Sequence, residues 1–363
     1  MKKHSKRIIS SVLSITLIVS TMGATLSNAA NNVKVKLVES EYYAENKTDH
    51  QYYMKTGTEK RENKFNQTQY NFYKNALKAG NYFYDLGFRY KNSIRVLNPD
   101  RTIQEKTSDT VYIAISYDDG KEGSTVIGRI WGQTIYNNDV GNSRGTNGLI
   151  IIGLNDPAYM NDFAFAPDVI AHEYAHLITQ QIAGWDKEVR GQSNETGAVV
   201  EAYSDILGEL SEGNPDWQMG TDAFLYNDDR TKCLRNIKDP KSTVKPISKY
   251  EMAEVEFYTD FNEYKSKYLN ASYDGEKIYS GSTVLSYAAY LMTTTGLKNE
   301  LIAKIWLDSL YLFDDPSYPT FSNCRKAVIA AAEKYAKDNG YSKRGKGEML
   351  ARVRWAFDSV NVY

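Results

Sequence analysis

Pro167–Ile182 reads PDVIAHEYAHLITQQI, and the chain is read outward from it. His172 and His176 stand four apart, which on an α-helix sets both imidazoles on one face, one turn apart. Two neutral imidazoles so placed can share one Zn²⁺ at about 2.0–2.1 Å each. Glu173 follows the first histidine, where a carboxylate can take a proton from a water at the metal. The apolar density of the segment is that of a buried helix. A buried helix carrying two hydrogen-bonded histidines would fit the same letters. Histidine usage favours the metal, because the chain has only 4 histidines, one of them in the leader described below, and two of the rest fall in this motif.

A tetrahedral catalytic zinc takes a third protein ligand and leaves one position open. Asn194–Leu210, NETGAVVEAYSDILGEL, reads as a second helix. Asn194 is its expected N-cap, and Val199, Ala202, Ile206 and Leu210 recur at helical spacing. Glu201 and Asp205 again stand one turn apart. Glu201 is the candidate third ligand. Asp205 can accept the outer N–H of a liganding histidine and so fix its tautomer. A lone glutamate on a helix usually marks a solvated face. Here Ala198, Val199, Val200, Ala202 and Tyr203 make the segment apolar, and an unpaired carboxylate in it would be costly.

Residues 1–29 are expected to be a signal peptide. Lys2, Lys3, Lys6 and Arg7 make a basic start, Ile8–Val19 an apolar core, and Ser27-Asn28-Ala29 a small-residue cleavage site. No stretch reaches the ~20 apolar residues of a membrane span, so a secreted protein with no membrane span is expected. The net charge of −1 supplies no basic footprint for nucleic acid. The two cysteines, Cys233 and Cys324, can pair in an exported chain, and their number alone does not decide it.

The coarse pattern is α+β. Asn32–Ser40 alternates as a strand, Asp49–Asn66 is polar and reads as loops, and Gln69–Gly87 steps as a helix stopped by Gly87. Val111–Tyr117 and Leu149–Ile152 read as strands. Ser282–Thr295, Lys298–Leu312, Ser322–Ala336 and Gly347–Asp358 are tandem helices with short connectors, as in a small bundle.

HEYAH followed by ETGAVVEAYSD resembles the thermolysin (bacillolysin) family of secreted zinc metalloendopeptidases. DWQMG, CLRNIKDP, GSTVLSYAAYLM, FSNCRKAVIAAAEKYA and ARVRWAFDSVNV resemble family segments in the same order, so the resemblance spans residues 66–363. It implies a two-lobed α+β fold. An extension at 30–65 precedes a β-rich lobe with long helices at 66–187 and a mainly α-helical lobe at 188–363, with zinc in the cleft between. It also implies a monomer that hydrolyses protein or peptide substrates, with zinc on His172, His176 and Glu201, Asp205 behind them and Glu173 as the base. Arg235 matches the family arginine that holds the peptide carbonyl beyond the cut; a surface salt bridge is its plainer role. Asp168, Glu212 and Asp216 match family calcium positions, and hard oxygen ligands suit Ca²⁺. Gln218 and Thr221 stand where relatives carry acids, so one structural calcium is expected rather than a pair.

Departures from the family concentrate around the oxyanion. Relatives stabilise the tetrahedral intermediate with a histidine, and none follows His176 here. Tyr279 falls at that position, and a phenol can donate to an oxyanion. A second family donor, a tyrosine before NETG, is matched only by Gln192 within a longer loop. The family's edge-strand motif is absent, and Asn142, Ser143 and Arg144 stand near its place. Relatives carry a long propeptide, whereas a short stretch separates this leader from the first matching helix; the chain is expected to fold without one or with a separate helper. These departures leave a second function open, a catalytically weak or inactive secreted binding or scaffold protein.

Overall fold

Alternation sets the first layer. In β1 (Lys34–Tyr43), Val35 and Leu37 are buried, together with Val33 just before it, as period-2 burial on one sheet face requires. A computed structural model describes residues 33–43, 53–97, 103–116, 130–137, 145–153, 161–185, 187–224, 233–246, 252–254 and 256–363. The expected leader at 1–29 and Asn142–Arg144 lie outside them.

β2 (Tyr53–Glu59) pairs antiparallel with β1, with a register irregularity between Val38 and Ser40. This corrects the expectation of loops across Asp49–Asn66. Among the described residues the strand ends the sheet order, and an edge position tolerates polar letters. β3 (Asn92–Leu97) and β4 (Ile103–Ser108) form a separate antiparallel pair. β5 (Thr110–Ser116) runs parallel to β1 and to β7 (Gly145–Gly153), and β6 (Ile130–Asn137) closes the sheet antiparallel to β7. The strand order is β2-β1-β5-β7-β6. Val111, Ile113, Ile115, Ile150 and Ile152 supply the sheet's buried face.

Helix α1 (Gln67–Asp85) begins with a reciprocal cap. Gln69 N–H donates to Asn66 Oδ1 at 2.8 Å, and Asn66 N–H donates to Gln69 Oε1 at 3.0 Å. Its buried stripe of Phe72, Ala76, Ala79 and Phe83 packs between β1 and α2 (Pro167–Ala183). Phe83 stacks on Tyr174 of α2 at 5.7 Å between ring centroids. Pro167 at the first turn suits a helix start, since its missing N–H would be unpaired there in any case.

The short helix α3 (Lys187–Arg190) links α2 to α4 (Asn194–Leu210). Every residue of α4 except Glu195 is buried, so it is the core helix of the molecule. The N-cap is Ser193 and not Asn194: Ser193 Oγ accepts the Thr196 N–H at 3.1 Å. Asn194 is committed elsewhere, donating to the carbonyls of Tyr268, Ala271 and Ser272 and accepting the Asp274 N–H at 3.0 Å. Helices α2 and α4 touch at Gly208. A Cβ there would lie 2.8 Å from the Asp168 carbonyl oxygen and 3.0 Å from the His172 nitrogen, so this contact admits only glycine without a shift of backbone.

A two-residue ribbon, β8 (Gln218–Met219) against β9 (Arg235–Asn236), lies past the end of α4. The remaining helices are α5 (Phe261–Tyr268), α6 (Gly275–Thr294), α7 (Asn299–Ser309), α8 (Phe321–Asp338) and α9 (Lys343–Asp358). The tandem helices stand near where their letters place them, except that α6 starts at Gly275 rather than Ser282 and α9 at Lys343 rather than Gly347. Asp274 caps α6, accepting the Glu276 N–H at 3.0 Å, and Tyr279 therefore lies inside that helix. Tyr203 of α4 ties this bundle in, with Trp306 edge-on at 5.0 Å and its hydroxyl 2.6 Å from Ser309 Oγ. Both cysteines are buried and free, so the possible Cys233–Cys324 disulfide is not formed. Asn32–Tyr363 pack as one unit.

Candidate metal centre

The two histidines point their Nε2 atoms at one spot. His172 Nε2 and His176 Nε2 are 3.1 Å apart, close to the ~3.3 Å expected for two nitrogens on one tetrahedral ion. Glu201, from α4, faces them. Its Oε2 is 3.3 Å from His172 Nε2, and its Oε1 is 3.7 Å from His176 Nε2. The three side chains together could hold a metal ion. All three are largely buried, Glu201 at 2% exposure.

The outer atoms of the histidines are held as well. His172 Nδ1 lies 2.8 Å from Asp205 Oδ1, a close charge contact without the alignment of a full hydrogen bond. His176 Nδ1 is 3.1 Å from Ser204 Oγ. With Nδ1 turned to oxygen on each ring, the two Nε2 atoms face each other and the Glu201 carboxylate. Glu201 Oε2 is buried and has no hydrogen-bond partner. Converging Nε2 atoms and an orphaned carboxylate oxygen in a buried place suit a cation, so the residues present fit the metal expected from the sequence.

Burial works against a charged His172, but Asp205 and Glu201 outweigh it and lift its pKa to about 9 in the metal-free protein. Burial likewise works against an ionised Glu201; Arg190 and then His176 overcome it and hold the carboxyl well below its usual range. Asp205 is also held low, with burial outweighed by Arg235 and then His172.

Arg235 departs from its plainer expected role. It forms a buried fork on Asp205, Nε to Oδ2 at 2.8 Å and the second nitrogen to Oδ1 at 2.5 Å, rather than a surface salt bridge. Ser282 also donates to Asp205 at 3.3 Å. Tyr279 is half-buried, its ring centroid 5.1 Å from the Arg235 guanidinium. Gln192, the weak match for the second oxyanion donor, is exposed. Glu173 is buried on α2 between the two histidines in sequence.

Sequence reasoning missed Arg190, Ser204 and Glu209. Arg190 Nε donates to Glu201 Oε1 at 2.5 Å, and its terminal nitrogen donates to the Tyr279 hydroxyl at 3.2 Å. Ser204, one residue before Asp205 on α4, carried a signal in its proximity to the motif. Glu209 joins the second acidic group. Ligand oxygens of Glu209, Glu212 and Asp216 lie within 4.8 Å of one another. Glu209 is fully buried; one oxygen accepts the Trp217 N–H at 2.9 Å and the other has no partner. Asp168 is not in that group: its carboxylate accepts the N–H of Val169 at 2.8 Å and the N–H of Gly220. It remains near enough for its charge to raise the pKa of both Glu209 and Glu212.

Fold and site define a protein built around a helix-borne His–His–Glu group that could hold a metal ion. The model of the thermolysin metallopeptidase alpha-helical domain matches residues 192–362. Over 242 residues the chain is 27% identical to the bacillolysin of Bacillus caldolyticus, covering 63% of this chain and 39% of that protein. Over 245 residues it is 27% identical to the thermolysin of Alicyclobacillus acidocaldarius, with the same shares. The solved precursor of protealysin, a metalloproteinase from Serratia proteamaculans, has the same fold at a TM-score of 0.63 and 18% identity, covering 91% of this chain and 88% of that one. The matched helical domain and these relatives make the chain similar to the thermolysin family of metallopeptidases. It spans about two fifths of the length of the curated relatives it matches.

Proposed function

We propose that this chain is a secreted zinc endopeptidase that hydrolyses peptide bonds. The observation that carries the reading is the convergence of His172, His176 and Glu201, with an orphaned Glu201 oxygen at their centre. Those three residues would hold the zinc. When bound, zinc makes water more acidic and polarises a carbonyl. Glu173 takes a proton from the attacking water and returns it to the leaving amine. Tyr279 donates a hydrogen bond to the oxygen that gains charge. Asp205 holds His172 in the liganding tautomer, and Arg235 holds Asp205, keeping its remaining donors for the substrate carbonyl. Glu212 and Asp216, with Glu209 added and Asp168 beside them, would hold a second cation, for which calcium is the fitting chemistry.

Export rests on the leader at 1–29. Among the described residues no helix is long and apolar enough to cross a membrane. We read the sheet-bearing and helical halves as two lobes flanking the site, and the chain as a monomer acting on protein or peptide substrates.

Glu173→Gln tests the reading. Chelator-sensitive cleavage of casein by the zinc-loaded chain should fall by ~10²-fold or more in this variant, with one zinc still bound. Cleavage that persists in the variant would remove Glu173 as the base. No cleavage by a zinc-loaded parent chain would leave the protein a binding scaffold.

A further inference from the structure

We propose that Arg190, on the short helix between the two ligand-bearing helices, is a positioning residue that orients Glu201 for the metal and turns the Tyr279 phenol into a directed hydrogen-bond donor. The inference rests on the zinc-peptidase reading above for its consequence in catalysis, and on geometry alone for its consequence in metal binding.

A guanidinium has five N–H groups and accepts nothing. One is spent on Glu201 Oε1 at 2.5 Å and one on the Tyr279 oxygen at 3.2 Å. The first contact takes the carboxylate oxygen turned away from His172 and leaves Oε2, the orphaned one, for the ion. The second fixes a direction. Because arginine can only donate, the phenol oxygen is the acceptor, and the tyrosine's own proton is left for another partner. A charged donor on that oxygen also makes the O–H a stronger donor. The chain has no histidine after position 176 with which to stabilise an oxyanion, and a polarised phenol can supply that donor.

The placement of Arg190 is built into the packing. A Cβ on Gly197 would lie 2.9 Å from the Arg190 carbonyl oxygen and 2.6 Å from Ile278 Cδ1. The backbone of Arg190 and the residue next to Tyr279 therefore both press on one glycine of the helix that carries Glu201. The side chain is 27% exposed, against 2% for its partner carboxylate, so it reaches the buried ligand from the open side of the site.

The test compares Arg190→Met and Arg190→Lys, alone and combined with Tyr279→Phe, in the full mature chain. Zinc affinity is read by competition with a chromogenic chelator, and kcat and KM are read at saturating zinc. Arg190→Met should weaken zinc binding ~10–100-fold, the range for groups that orient a ligand. It should lower kcat ~10-fold or more with a smaller change in KM, since an oxyanion donor acts in the transition state. In the Tyr279→Phe background that kcat loss should largely vanish. Arg190→Lys keeps the charge without the fork. It should recover most of the zinc affinity and little of the kcat, and it serves if the Met variant does not fold. Zinc affinity within twofold of the parent, or kcat losses that simply multiply, would overturn the proposal. A parent chain that binds zinc and cleaves nothing would overturn the peptidase reading instead, and the zinc arm would then decide Arg190 by itself.

Discussion

The acidic group at the end of α4 should make the metal-free protein less stable as pH rises from about 4.5 to 7, and calcium should remove that loss. Burial, then the charge of Asp168 and Asp216, lifts the Glu212 pKa from its usual 4.5 to about 7. Burial lifts Asp168 from 3.8 to about 6, against the pull of the Gly220 and Val169 N–H groups. Glu209 is pushed well above its usual range by burial and by the charges of Asp168, Asp216 and Glu212. A carboxyl whose pKa is raised on folding binds its proton more tightly in the folded chain. Its stabilising effect is full below the unfolded value and is lost as pH climbs through the folded one. At about 1.36 kcal/mol per pH unit, Asp168 corresponds to ~3 kcal/mol. Glu212 would correspond to a similar figure, reduced to ~2 kcal/mol because it is partly open to solvent. Each repels the other, so part of the loss is the same interaction felt at both ends, and the total is on the order of 3–4 kcal/mol.

Glu201 and Asp205, held low, act on stability below this pH window, and His172, raised from 6.5 to about 9, acts from about pH 6.5 upward. Glu195, whose carboxyl burial also raises, adds a slope of the same sign that calcium leaves in place, so the calcium-dependent part of the slope between 5 and 7 reports the acidic group. The assay is the unfolding midpoint of zinc-free protein across that range, with and without millimolar calcium. At roughly 2 °C per kcal/mol for a chain of this size, calcium should remove ~6–8 °C of the fall. Glu209→Gln should weaken the calcium response. Equal slopes in both arms, or an unchanged response in Glu209→Gln, would refute the cation site and the reasoning behind it.

Two further outcomes follow from the metal centre. Zinc needs a neutral His172 and must displace the proton that Asp205 and Glu201 hold there, so its apparent affinity should rise about tenfold per pH unit from 7 to 9 and level off above; a flat profile by chelator competition would refute it. Arg235→Met strands a fully buried Asp205 carboxylate and should cost ~3–5 kcal/mol in a denaturant titration. The added Asp205→Asn change should recover part of that, and independent losses would show that the fork is not the cause.

The parts that were legible in the sequence are those fixed by local periodicity. Histidines one turn apart and a carboxylate pair one turn apart each define a helix face without help from the rest of the chain, and His172, His176, Glu201 and Asp205 do meet. The tandem C-terminal helices were legible for the same reason, and α6 was misplaced only at its start, where Asp274 caps a turn too polar to read as helix. What stayed hidden depends on distant contacts. β2 is a strand because β1 offers it an edge, and nothing in its own letters requires that. Asn194 looks like a cap, but its amide is spent on the connection before α6, and Ser193 does the capping.

Arg190 illustrates the limit best. Its neighbours in sequence are Val189 and Gly191, its helix is four residues long, and no spacing rule links position 190 to positions 201 and 279. Only the meeting of α3, α4 and α6 at Gly197 brings its guanidinium to the carboxylate and the phenol. Glu209 is hidden in the opposite way. It stands one turn beyond Asp205 on the same helix, where periodicity would assign it to the same face, yet its carboxylate meets Glu212 and Asp216 rather than the histidines. The Trp217 N–H fixes one of its oxygens, and burial without a second partner makes the other costly. A helix period predicts which residues share a face. Which of them share an ion depends on the loop that folds back over the helix end.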